Sequence, residues 1–300
     1  MSDSFEAAIG RPRTSGGAAA ARRLSPALGR FVRHRLAILG TATVFLLILS
    51  AVFAPNVAPR NPLYIDLLHR FSPPLSGPFI LGTDPLGRDL LSRLIYAGRI
   101  SLTVGFAAML VSAVVGTAVG MLAAYRGGLI DAILMRFTDV AFSLPSIFLL
   151  LLLAAFIPPS VVSITLIIGF TSWMPMARLV RGQVLTVLKL DYIESARAGG
   201  AGDLRVVLRH LLPNSTAPMV VAATLNVADA ILAESYVSYL GYGIQPPFAS
   251  WGNMLNNAQS YFVSAPWLAI FPGLMITLAV TSINFIGDGL RDALDPRLRT

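Results

Sequence analysis

Apolar positions in this 300-residue chain come in long unbroken runs, not in the alternation of a half-buried strand. The first run, Leu36 to Ala54, follows Arg30, Arg33 and Arg35. Five more lie at about 101–124, 140–157, 161–180, 216–241 and 267–287, each near the ~20 residues that carry a helix across ~30 Å of hydrocarbon. The first run exceeds the ~7–15 apolar residues of a secretion signal, so it reads as a retained span. The pattern predicts an all-α integral membrane protein with six transmembrane helices. Residues 1–30 are rich in Ala, Gly, Ser and Arg without an apolar period and read as a mobile basic tail. Residues 31–100 then hold the first span and an external loop, and 101–300 the core domain.

Composition agrees. Hydrophobic residues make up 55% of the chain and charged residues 13%, against about 25% charged in a soluble domain. The absence of cysteine excludes disulfides, thiolate metal sites and cysteine nucleophiles. The formal charge of +8 is a record of topology rather than a nucleic-acid footprint, because basic residues concentrate on cytoplasmic loops. With the N-terminus inside, 18 basic residues fall on the cytoplasmic side. Five fall outside, namely Arg60, Arg70, Arg88, Arg93 and Arg99. Both termini are therefore expected in the cytoplasm.

Several polar and small positions interrupt the runs. Ser112, Gly116, Gly120 and Ala124 recur every four residues, a face on which another helix can approach closely. Asn226, Asp229 and Glu234 lie inside the fifth run. A central aspartate costs about 2.5–3.5 kcal/mol on the insertion scale, which eight Val, Leu and Ile residues between 217 and 240 barely offset. Neither acid should face lipid. They either line a substrate path or make structural hydrogen bonds between helices. At ~100° per residue the five-residue step separates Asp229 from Glu234 by about 140°, so only Asn226 and Asp229 share a stripe.

Between the fourth and fifth runs stands "DYIESARAGGAGDLRVVLRHLLPN", residues 191–214. Residues 188–198 read as one short helix. A second begins at Asp203, where a carboxylate suits the positive end of the helix dipole. It carries Leu204, Val207, Leu208 and Leu211 on one face, Arg205 and Arg209 on another, and is expected to end at Pro213. Gly199, Gly200 and Gly202 allow a sharp corner between them. Such an elbow is either a solvated connector or a docking surface for a soluble partner.

Other constellations add less. Residues 84–99 predict an amphipathic helix at the outer interface. Tyr242, Phe248, Trp251, Tyr261, Phe262 and Trp267 in the last long loop read mainly as membrane-boundary anchors. The sole lysine, Lys189, is followed by Leu190, so no P-loop is present and ATP must be used elsewhere. His34, His69 and His210 are scattered and predict no metal site.

The elbow resembles the EAA signature of the membrane subunits of bacterial ABC importers, matching it at Glu194, Ala196, Gly200, Leu212 and Pro213. Ser195 replaces the usual middle alanine and His210 the usual isoleucine. With "LGTDPLGRDLLSRLIYAGRISL" (81–102), "ILAESYVSYLGYGIQPPFASWGNML" (231–255), "PWLAIFPG" (266–273) and "GDGLRDALDPRLR" (287–299), the chain is similar to the second permease of the dipeptide, oligopeptide and nickel importers. The resemblance implies an ABC type I importer permease fold in the cytoplasmic membrane, with 188–213 as the coupling loop. It implies a homologous second permease, two ATP-binding subunits that use ATP and Mg, and an extracytoplasmic substrate-binding protein. It implies no cofactor on this chain and no catalysis by it. Peptides are the expected cargo, with nickel chelates, glutathione or opines as alternatives. A proton-coupled secondary transporter using Asp229 and Glu234, or a membrane scaffold, are the rival classes.

Overall fold

The computed structural model describes residues 26–256 and 258–294. Among them there is no strand, only the isolated bridges Ser76 to Phe79 and Thr83 to Asp89. The principal helices are α1 (Pro26–Arg33), α2 (Arg35–Val52), α3 (Leu90–Arg126), α4 (Gly128–Ser143), α5 (Ser146–Phe156) and α6 (Val161–Thr171). They continue with α7 (Met174–Val187), α8 (Asp191–Ala198), α9 (Asp203–Tyr239), α10 (Trp251–Leu255) and α11 (Trp267–Leu294).

Helix α3 is the axis of the bundle and packs against α2, α6, α7 and α9. Its small residues make this possible. A Cβ at Gly116 would lie 2.6 Å from the Trp173 carbonyl oxygen and 2.7 Å from Met176 Cβ. One at Gly120 would overlap the Ala177 carbonyl. The stripe beginning at Ser112 is thus the seat of α7, while Gly105 admits the Ile231 side chain of α9. On the other side of the bundle α11 runs against α2 and α9, with Gly289 facing Ala37 and Gly287 facing Leu225.

Four helices, α2, α3, α9 and α11, are single pieces long and apolar enough to cross a membrane. The spans expected at about 140–157 and 161–180 are each a bent pair of helices, the first starting earlier, at Gly128. α4 and α5 meet at 85°, and α6 and α7 at 44°, so six spans are reached only if each bent pair counts as one. Proline explains both breaks. Leu144 precedes Pro145 and is extended (φ −77°, ψ 131°), the conformation that a following proline ring enforces. Pro175 sits in the first turn of α7, where a missing N–H costs nothing.

Further expectations need correction. Residues 84–99 are not a separate amphipathic helix. Asp89 accepts from the Ser92 N–H (2.8 Å) and caps α3, which then runs 37 residues without a breaker. Leu90 and Leu94 are buried in the bundle, and Leu91 and Ile95 are half-buried. The boundary drawn at 100/101 falls inside this helix. Pro213 does not end a helix either. Val207–Leu211 form a π-helical turn in which the Leu212 N–H bonds the Val207 carbonyl. The wider turn takes up the strain of a proline ring, and the chain stays helical from Asp203 to Tyr239. Of the expected tail, residues 1–25 lie outside the described region, but 26–30 belong to α1. Arg297, Arg299 and Asn257 also lie outside it.

Candidate functional site

Two features carry the polar residues singled out above: an elbow at one end of the bundle, and a cavity where the bent helices break.

The elbow is built from its inner face outward. Ile193 of α8 and Val206 and Leu211 of α9 are fully buried beside Val180, Val184 and Val187 of α7 and Met121 and Ala124 of α3. Each such side chain contributes about 1.5–3 kcal/mol on leaving water. The corner is a Schellman closure, with the Ala201 N–H on the Ala196 carbonyl (3.0 Å) and the Gly200 N–H on the Arg197 carbonyl (2.9 Å). Gly200 stands at φ +82°, a left-handed conformation in which glycine has no Cβ penalty. Asp203, at the start of α9, accepts from the Tyr125 hydroxyl (2.8 Å), and the Arg197 guanidinium lies over the Tyr125 ring (5.5 Å). The elbow is therefore fastened to the end of α3.

Its outer face is unfilled. The predicted apolar face splits: Leu211 turns inward and Val207 is half-buried, whereas Leu204 is 71% and Leu208 54% exposed. Arg205 and Arg209 border them around a shallow hollow with Gly200, Gly202 and Asp203. Glu194 is exposed on α8. Leu212, half-buried, and Pro213, exposed, lie on the shaft of α9 beyond the π turn.

The cavity, about 570 Å³, opens where α4 breaks from α5 and α6 from α7. Asn226 and Asp229 of α9 face Ser143, Pro145 and Ser172 across it. Asn226 is held by the Ser112 hydroxyl (2.9 Å). Asp229 is exposed and has no hydrogen bond or ion pair among the described residues. Glu234 lies elsewhere. It is completely buried and accepts from the hydroxyls of Ser238 (2.7 Å) and Ser101 (3.0 Å). The same two hydroxyls accept the N–H groups of Ile244 (3.0 Å) and Trp251 (3.1 Å). Of the two roles open to these acids, Glu234 has the structural one: it ties α3 and α9 to the last long loop.

That loop also departs from the anchor reading. Trp251 is buried, with its indole N–H on the Leu94 carbonyl (3.1 Å). Trp267 donates to the Thr83 carbonyl (3.1 Å), and the Tyr261 ring meets Phe71 at 5.0 Å. Tyr242, Phe248 and Phe262 remain exposed. Among the described residues no three potential metal ligands cluster. His34 caps α2, His69 pairs with Asp66 at 2.7 Å, and His210 lies against Tyr192. Between α2 and α3, the hydrogen bond from His69 holds the Asp66 carboxyl below the usual carboxylate range.

Two ion pairs were not anticipated. Arg181 of α7 grips both oxygens of Asp131 on α4 at 2.6 Å, and Arg178 reaches Asp139 at 2.8 Å. The i, i+3 arginines and i, i+8 aspartates were visible in the sequence. What no pattern gave was that α4 and α7 lie side by side.

Comparisons with known proteins agree with this architecture. Residues 24–74 match the N-terminal TM domain of oligopeptide transport permease C. The di/tripeptide transport system permease protein DppC of Pseudomonas aeruginosa is 41% identical over 90% of each chain. The dipeptide permease DppC of Bacillus subtilis is 40% identical over 90% of this chain and 84% of its own. The glutathione permease GsiD of Pectobacterium atrosepticum is 41% identical over 90% of each. In fold the chain is similar to a subunit of the inward-facing MetNI methionine ABC transporter, with a TM-score of 0.55, 21% identity, and coverage of 68% of this chain and 96% of that one. Residues 116–300 match the binding-protein-dependent transport system inner membrane component, so this chain, a multi-pass and non-catalytic membrane component, belongs to that permease family.

Proposed function

We propose that the chain is the permease subunit of an ATP-driven peptide importer of the bacterial cytoplasmic membrane, with both termini in the cytoplasm. It would pair with a second, homologous permease, two ATP-binding subunits and an extracytoplasmic substrate-binding protein. ATP and Mg are used by the ATP-binding subunits. The observation that carries this reading is the elbow, rigid within and unfilled without. Leu204 and Leu208 are apolar, exposed and ringed by arginines, the composition of a patch that meets a protein surface.

Force on that patch passes into α9, which is one helix from the elbow to the cavity wall at Asn226 and Asp229. A small rotation of α9 thus changes access to the cavity, which is the requirement of alternating access. The relatives named for dipeptides, tripeptides and glutathione share cargo with an amine and a carboxylate. Asp229, without a hydrogen bond or ion pair among the described residues, suits the amine. A proton-coupled carrier relying on Asp229 and Glu234 together is disfavoured, because Glu234 is sealed from the cavity.

The test is Leu208→Asp, with the partner ATP-binding subunits co-expressed. Membrane insertion and thermal unfolding should stay close to wild type, since Leu208 is 54% exposed, while ATP-binding subunits no longer co-purify and uptake is lost. Normal co-purification and uptake would refute a docking role.

A further inference from the structure

At the end of the bundle opposite the elbow, a cavity of about 820 Å³ gathers Arg60, Arg93 and Arg99. Among the described residues neither Arg60 nor Arg99 forms an ion pair. The Arg60 guanidinium lies over the Phe79 ring (4.7 Å) and has no carboxylate partner among the described residues. Arg93 is buried, has only a long contact to Asp84 (3.6 Å), and its Nη1 bonds nothing. Three like charges gathered around one hollow repel one another and call for an anion.

The position of the cavity says which anion. Its floor is the chain just after α2, including Pro55 and Ala58, and Arg99 stands at the point where α3 enters its long apolar stretch. This is the level of lipid headgroups. Arg99 also lines a second hollow of about 580 Å³ that runs down between α2 and α3. That groove is apolar, with Val52, Leu102, Phe106 and Leu110 among its walls. Val52, Phe106 and Leu110 are exposed, so in this chain the groove is open to an acyl chain. A basic cup opening directly onto an apolar groove matches a phosphate head with an acyl tail. Arginine suits the head, because its planar fork pairs with two phosphate oxygens at once. An acidic side chain of a docking protein would satisfy the cup but leave the groove empty.

We infer that this pair of cavities binds one anionic phospholipid of the leaflet opposite the elbow, its phosphate between Arg60 and Arg99 and one acyl chain between α2 and α3. The inference needs only that the bundle spans a membrane, and it stands or falls apart from the cargo. It is tested on the full chain released from nanodiscs containing phosphatidylcholine with or without phosphatidylglycerol, using native mass spectrometry to count retained lipid. Wild type should keep one phosphatidylglycerol. The pair Arg60→Gln, Arg99→Gln should hold it at least about tenfold more weakly, the loss expected for charged hydrogen bonds, while Arg99→Lys, which keeps the charge but not the two-pronged pairing, should fall between the two. Leu110→Trp, which fills the groove but leaves the cup, should also lose the lipid. Inorganic phosphate alone should neither displace the lipid nor raise the thermal unfolding temperature. Equal retention by the Gln pair overturns the inference. So does displacement by inorganic phosphate, which makes the cup a free-anion site, or retention by Leu110→Trp.

Discussion

Asp229 and Glu234 stand five residues apart on one helix and have opposite circumstances. Glu234 is enclosed and accepts from two serine hydroxyls that themselves receive backbone N–H groups. Removing it leaves a small void and strips both serines of their acceptor. Glu234→Ala should therefore lower stability by about 2–4 kcal/mol, measured as thermal unfolding in detergent. Asp229→Asn should leave the same transition in place, because among the described residues its carboxylate bonds nothing. Equal losses from the two variants would show that Asp229 also has a structural role. The helical angle between these residues was readable from spacing alone. Which of them met a cavity was not, since that depends on where α4 and α6 break.

Elements were legible where one strong signal acted locally. The first, second, fifth and sixth apolar runs gave α2, α3, α9 and α11, because a long apolar run has few other ways to satisfy its backbone. The corner at Gly200 was legible too, since positive φ selects glycine. Prolines were harder. Pro145 and Pro175 break helices that were each read as one span, whereas Pro213 lies in one that was read as ending. The difference rests on neighbours: a π turn and the burial of Leu211 keep the helix intact at Pro213, and nothing comparable surrounds Pro145. The elbow's apolar face was legible as a pattern, but its division between inside and outside needed α7 and α3 in place. That division is testable. Ile193→Ala removes a fully buried side chain and should destabilise the elbow by about 2–5 kcal/mol. Amide hydrogen exchange across 191–201 should speed up accordingly, while Leu204→Ala should leave exchange unchanged. Faster exchange in the Leu204 variant would mean that this face is packed after all.

For the whole molecule, the elbow, the helix clamps and the cavity form one mechanical line. α7 leads into the elbow, and Ile193 packs against its Val180 and Val184. Arg178 and Arg181 on α7 hold Asp139 and Asp131 on α4. α4 in turn ends at Ser143, on the rim of the cavity that Asp229 faces. Under the proposed coupling role, a displacement at the elbow would reach the cavity by two routes, directly along α9 and through α7 into α4. Only the second route depends on charge. Asp131→Arg or Arg181→Asp alone places like charges at the two-oxygen contact and should free α4 from α7. In the assembled transporter, uptake should then fall while ATP hydrolysis continues, since the elbow itself is intact. The double exchange, Asp131→Arg with Arg181→Asp, restores opposite charges across the same gap and should recover most of the uptake. Recovery distinguishes a clamp from two residues that merely tolerate no change. If both single variants transport peptide at the wild-type rate, the stroke travels along α9 alone, and the bent helices follow it without the ion pairs.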